Sequence, residues 1–208
     1  MRHSLTTQGY GVRLRPVRLD DARFIVWLRN LDHAKGRVGD SAADVAGQER
    51  WLNSYFEREG DYYFMIETPH EIPLGTHSVY NLQETRAEIG RTVVRPGVSA
   101  AVPALLLLFD LFYGQMGLTQ MQAVAVANNY AVHSLVRKLG FSQVKVEHAG
   151  RVIGGEAIDL VHFVQTPEGW LRVRERLVKA AQRAECRIRE WEESHLPRGG
   201  SHVLETGT

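Results

Sequence analysis

Cysteine is all but missing from this chain: Cys186 is the only one in 208 residues. An intramolecular disulfide and a cysteine-based zinc centre are thereby excluded, and one cysteine in a charged helical stretch reads as inert. An excess of charge of one sign is also lacking. Twenty-five Lys and Arg face 24 Asp and Glu, a formal net charge of +1. Nucleic-acid or anionic-membrane partners, which select a gathered basic excess, are therefore not expected. Long apolar runs are missing as well. The most apolar stretch, Val98 to Tyr113, is short and interrupted by Pro103 and Asp110, so no membrane insertion is expected. Met1 to Gly11 is polar and has no apolar core of a secretory signal. With 44% hydrophobic residues, the chain reads as a soluble cytoplasmic protein with enough apolar surface for a sizeable core.

What is present alternates in period. Val12 to Val17 has strand character, and Asp20-Asp21 opens a helix whose apolar face is Ala22, Phe24, Ile25, Trp27 and Leu28. A polar loop, Asp32 to Asp40, precedes a second helix for which Ser41 is the expected cap, with Asp44 three residues on. Strands are expected at Tyr62 to Glu67, Leu74 to Leu82 and Ala87 to Val94, the last two joined through Gln83-Glu84-Thr85-Arg86. A uniformly apolar helix follows from about Ala101 to Tyr113, which implies burial on several sides. Then come a strand (Met121 to Ala127), a helix from Asn128-Asn129 to Leu139 closed by Gly140, and two strands (Phe141 to Glu147, Glu156 to Gln165) around a His148 to Gly155 loop. Thr166-Pro167-Glu168 signals the start of a long charged helix. The division expected is a mixed α/β body over 1–165, a helix over 166–195 and a loose tail over 196–208.

The informative stretch is Ala87 to Phe141. A strand enters a short small-residue loop at a helix start, where free N–H groups and the helix dipole favour an anion. Taken alone, this is also an ordinary strand–helix connection. Further text orders it: Ala87-Glu88-Ile89-Gly90, Met116-Gly117-Leu118, Asn129, and Lys138-Leu139-Gly140-Phe141, preceded by Leu14-Arg15-Pro16, Asp20-Asp21-Ala22 and Leu28-Arg29-Asn30. Together these resemble the GNAT superfamily of acetyl-CoA-dependent N-acetyltransferases, and the opening looks like its RimJ/RimL-like branch.

The resemblance implies a central mixed sheet of six to seven strands, splayed between the fourth and fifth, with acetyl-CoA as cosubstrate and no metal. It implies that Thr92, Val93 and Val94 pair with the pantetheine arm as a quasi-strand. It also implies that Gly97, Val98, Ser99, Ala100, Ala101 and Val102 offer N–H groups to the pyrophosphate, and that Asn129 bonds the pantetheine end. Asn129 also reads as a plain helix N-cap and can serve as both. Two departures stand out. Val98 falls near a position that the family usually fills with a small residue. Val136 stands seven residues after Asn129, where many relatives carry a Tyr that protonates the departing thiolate. His133 and Ser134 are substitute candidates on the same helix, and both also read as plain helical polar residues.

An attacking amine must lose a proton, and Glu88 is the candidate base; its other reading is a carboxylate paired with Arg86 or Arg91. The acceptor pocket of such a fold would draw on Arg29, Asn30, His77, Tyr80 and Asn81, with His77 also readable as a structural histidine. Trp51 and Tyr55 sit on a helical apolar stripe and read as core. The order Trp-Leu-Arg-Asn, Gln48-x-x-Trp51-Leu52 and Asp61-Tyr62-Tyr63-Phe64 looks like enzymes that acetylate amino sugars on nucleotide carriers. The expected partner is thus a small-molecule amine, a nucleotide-linked amino sugar in polysaccharide biosynthesis. The alternatives are protein or peptide Nα-acetylation of the RimJ/RimL type and a non-catalytic module that kept the fold. The C-terminal helix is expected to pack on its own body, with a homodimer contact as the alternative role.

Overall fold

The computed structural model describes residues 3–35, 42–153 and 155–195. In chain order these form β1 (Thr7–Gly9), β2 (Val12–Pro16), α1 (Ala22–Arg29), α2 (Val45–Phe56), β3 (Tyr62–Glu67), β4 (Pro73–Gln83) and β5 (Arg86–Val94). There follow α3 (Ala101–Phe109), which runs into a π-helical turn at Asp110–Gln115, then β6 (Gln120–Val126), α4 (Tyr130–Lys138), β7 (Ser142–Ile153), β8 (Glu156–Gln165) and α5 (Pro167–His195). The strands make one sheet in the order β1-β2-β3-β4-β5-β6-β8-β7. Every neighbouring pair is antiparallel except β5–β6, which is parallel because α3 crosses between them.

Strand alternation sorts the side chains onto two faces. Phe64, Ile66, Val79, Ala87 and Ile89 turn toward α3, α4 and α5 in the larger core. Tyr63 and Met65 turn the other way, against Ile25 of α1 and Leu52 and Tyr55 of α2. Helix α3 is apolar all round because the sheet covers one side and α5 the other. Trp170, Leu177, Ala181, Ala184 and Ile188 of α5 all lie in that core. Pro103 is buried in the first turn of α3, where its missing N–H has no intrahelical role to lose. Arg15 ties the start of the first helical segment to the sheet by bonding Asp21 with two nitrogens at 2.8 Å and Glu67 at 2.8 Å.

Several local expectations need correction. The sheet has eight strands where six to seven are expected, because Thr7–Gly9 adds to the edge of β2. The cap of α2 is Asp44, whose carboxylate accepts from the Gly47 N–H at 2.7 Å; Ser41 and the tail from Leu196 to Thr208 lie outside the described residues. The segment expected to loop out from His148 to Gly155 is mostly strand, and the pairing continues through Arg151↔Ile158 to Ile153↔Glu156. The Asp159 carboxylate, bonded by the Ala149 N–H and His148 Nδ1, holds a bulge there, with Ala149 at φ +52°. Gly150 belongs to that bulge, and Gly155, at φ +88°, to the turn before Glu156. No described helix is long and apolar enough to cross a membrane.

Candidate active site

Strands β5 and β6 pair from Arg86↔Gln120 to Ile89↔Ala123 and no further. Beyond that point β5 stays bonded to β4 through Thr76↔Val93 and Gly75↔Val94, and β6 stays bonded to β8 through Val124↔His162 to Val126↔Leu160. The two strands therefore diverge, and their inner backbone edges face an opening in the sheet without a strand partner. On the β5 side this edge contains Thr92, Val93 and Val94. On the β6 side the Ala127 N–H bonds the Asp159 carbonyl of β8, so by alternation the Val126 carbonyl is directed at the opening. It accepts from the Asn129 N–H at 2.9 Å and from His133 Nε2 at 3.0 Å.

A bulge shapes the β5 edge. Register shifts between Thr76 and Ser78 relative to Val93 and Gly90, and Arg91 adopts φ +51°. Gly90 and Arg91 consequently stay on the α1–α2 side, whereas Thr92 turns to the α3 side and bonds His77 Nδ1 through Oγ1. His77 is fully buried, its Nε2 has no hydrogen-bond partner among the described residues, and burial pushes its pKa down to about 3.

On the α1–α2 side the side chains converge. Tyr80 and Glu88 are direct cross-strand partners, and the Tyr80 phenol donates to Glu88 Oε1 at 2.6 Å. Neighbouring strand residues normally point to opposite faces, but Asn81 at φ +54° breaks the alternation and donates from Nδ2 to Glu88 Oε2 at 3.3 Å. Burial, then the Glu88 charge beside it, raises the Tyr80 pKa, so the phenol stays protonated as a donor. Gly90 makes room for this pair: a Cβ there would lie 2.6 Å from the Tyr80 oxygen. Arg91 stacks on Tyr80 at 4.5 Å and Trp51 at 5.3 Å, and bonds the buried Asp61 carboxylate at 2.7 Å.

At the end of β5, Arg95 to Ala100 leads into α3. Gly97 has φ +80°, which favours glycine, and a Cβ on it would meet nothing within 4 Å. No side chain caps α3, whose cap position is Ala100, so its first N–H groups remain for a ligand. A groove of about 600 Å³ runs past this loop, lined by Val94 to Ser99, Ala101 and Val102, by His33, and by Ala180, Ala184 and Arg187 of α5. An uncapped helix start, an open glycine and a splayed strand pair fit a long cosubstrate with a diphosphate and an amide-bearing arm. Val98, half-buried, lines the groove but leaves its N–H in place.

The other sequence candidates are placed as follows. Asn129 is the N-cap of α4 and accepts from the Val132 N–H at 3.3 Å, which leaves its Nδ2 group to offer. His133 is buried, and its Nε2 proton is committed to the Val126 carbonyl. Ser134 is exposed and lines a separate cleft of about 400 Å³ with Tyr130, Arg137, Lys138 and Arg176. Val136 is buried in the larger core. Arg29 is buried and engaged at the last turn of α1, and Asn30, the C-cap of that helix, donates to the Val26 carbonyl at 2.8 Å. The structure thus gathers Glu88, Tyr80 and Asn81, and places His77 on the other face of the sheet with Thr92. Sequence reasoning missed Asp61 as the partner of Arg91, and the α5 face at the groove. The spacing of Ala180, Ala184 and Arg187 along one helical face was the available signal for the second; nothing local signalled the first.

The model of the acetyltransferase (GNAT) domain matches residues 12–142. No curated protein matches the chain. A GCN5-related N-acetyltransferase from Brucella melitensis superposes with a TM-score of 0.76 at 16% identity, covering 86% of each chain. Apo FdhC, described as a nucleotide-linked sugar GNAT, gives 0.69 at 23% identity over 86% of this chain and 98% of its own. Spermidine N-acetyltransferase from Vibrio cholerae, solved with CoA and spermine, gives 0.69 at 16% identity over 78% and 99%. At these identities the likeness bears on the fold.

Proposed function

This chain belongs to the GNAT acetyltransferase family, and from that premise we propose that it moves an acetyl group from acetyl-CoA to the primary amine of a small molecule, an amino sugar on a nucleotide carrier. The observation that carries the reading is the opening between β5 and β6, with an uncapped helix start at one end and the Glu88–Tyr80–Asn81 cluster beside it.

Acetyl-CoA supplies the acetyl thioester. The inner edge of Thr92 to Val94 bonds the pantetheine amides as an added strand would, and the N–H groups from Gly97 to Val102 hold the diphosphate. Asn129 fixes the far end of the arm through Nδ2. Glu88 takes the proton that the acceptor amine sheds during direct attack in a ternary complex. Tyr80 and Asn81 hold the carboxylate in place while its remaining lone pairs face the acceptor. His133, by occupying the Val126 carbonyl, positions the β6 edge. No hydroxyl stands at Val136, and Ser134 opens onto a separate cleft, so the departing sulfur takes its proton from another group or from water.

The preference for a nucleotide-linked sugar rests on the order Gln48-x-x-Trp51-Leu52 and Asp61-Tyr62-Tyr63-Phe64 in the sequence, since Arg91 already covers the Trp51 and Tyr80 rings. The structural likeness to FdhC, described as a nucleotide-linked sugar GNAT, agrees with this. The test is twofold. Saturating acetyl-CoA is expected to raise the melting temperature; no shift at all would leave only a non-catalytic module. Thiol release is then compared for UDP- and dTDP-amino sugars, spermidine and N-terminal peptides, with the amino sugars expected to react fastest.

A further inference from the structure

Helix α5 lies outside the matched family domain, which ends at residue 142, yet three of its side chains line the groove at the α3 start. Ala180, Ala184 and Arg187 are spaced to share one helical face. The two alanines leave space, and Arg187 brings a charge to the groove.

On the loop side of the groove, Arg95 lies over the Trp191 ring of α5 at 4.6 Å and over the Trp27 ring of α1 at 5.5 Å, and its Nη1 donates to the Pro73 carbonyl at 3.4 Å. A guanidinium held over aromatic rings keeps in-plane N–H groups to offer an anion. Arg95 is also partly desolvated, which lowers its pKa. Neither Arg95 nor Arg187 has an ion pair with a carboxylate among the described residues, and no Asp or Glu is among those described that line the groove. A groove with two arginines, a free helix start and no acid is built for a group carrying more than one negative charge.

We infer that α5 completes the cosubstrate site, with Arg187 and Arg95 both closing on the diphosphate while Trp191 holds Arg95 in place. This rests on the acetyl-CoA reading above and adds to it an element beyond the matched residues 12–142.

The test is calorimetric titration of the full chain, as wild type, Arg187→Gln and Arg187→Lys, with CoA, 3′-dephospho-CoA and inorganic pyrophosphate. Arg187→Gln is expected to weaken CoA and dephospho-CoA alike, by about tenfold or more, and Arg187→Lys by less. In acetyl transfer the KM for acetyl-CoA should rise while kcat at saturation stays unchanged. Unaltered CoA affinity in Arg187→Gln, or a loss confined to CoA and spared in dephospho-CoA, would overturn the inference. A wild type that binds no CoA refutes the acetyl-CoA reading instead; pyrophosphate binding that Arg187→Gln abolishes would still support the two-arginine site.

Discussion

Tyr80 and Glu88 face each other across the β4–β5 pair and are joined at 2.6 Å. The register alone makes this contact, since directly opposite residues are the nearest side-chain neighbours in an antiparallel pair. If Glu88 is the base, Glu88→Gln keeps the acceptor for Tyr80 and loses only the proton sink. A fall in kcat of about 10²-fold or more is expected, with unfolding free energy changed by less than about 1 kcal/mol. Steady-state kinetics and denaturant titration read the two effects separately.

Gly90 provides a test of the same pair without touching either partner. The added methyl of Gly90→Ala would sit 2.6 Å from the phenol oxygen, so the ring must swing away from Glu88. A drop in kcat of about tenfold is expected from the misplaced carboxylate. Tyr80→Phe should reproduce most of that drop; an active Gly90→Ala enzyme would show that the pair is dispensable.

His77 gives the fold an acid limit. Its folded pKa of about 3 lies below its unfolded value of 6.5, so between these values the unfolded chain binds more protons. Stability is therefore complete above the unfolded value and is lost as pH falls from about 6.5 toward 3. The slope contributed by this one group approaches about 1.4 kcal/mol per pH unit. Denaturant unfolding at pH 7, 5 and 4 should show this loss, and His77→Gln should remove one proton's worth of the slope.

Truncation after Gln165 removes Trp170, Leu177 and Ile188, all buried against the rest of the larger core. The exposed face of α3 would then be apolar and open to water. Loss of solubility or of cooperative unfolding is the expected result, and an equally stable monomeric truncate would contradict it.

Much of this architecture was legible because it depends on local period. The Thr166 cap and Pro167 mark the start of α5, the glycines near β6 and α4 punctuate their elements, and the apolar run of α3 foretold burial on several sides. What escaped depended on contacts distant in sequence or on backbone departures from regularity. The bulge at Arg91 decides that Thr92 meets His77 while Arg91 meets Asp61, and no strand pattern encodes where a bulge falls. Asn81 reaches Glu88 only through its left-handed backbone. Arg29 and Asn30 looked like substrate contacts because their type suits phosphate and sugar; that Arg29 is buried and Asn30 caps its own helix is visible only once the end of α1 is placed.

The wall that α5 gives the groove also has a consequence for the order of synthesis. Arg187 follows Ser99 by 88 residues (187 − 99), so on the ribosome the loop, the sheet opening and Glu88 all emerge well before the helix that faces them. A nascent chain carrying the whole family domain would still have an unfinished groove and an uncovered α3. If α5 completes the site as inferred, full affinity for the cosubstrate arrives only once α5 has emerged and docked, and the same docking event hides the surface on which incomplete chains would aggregate.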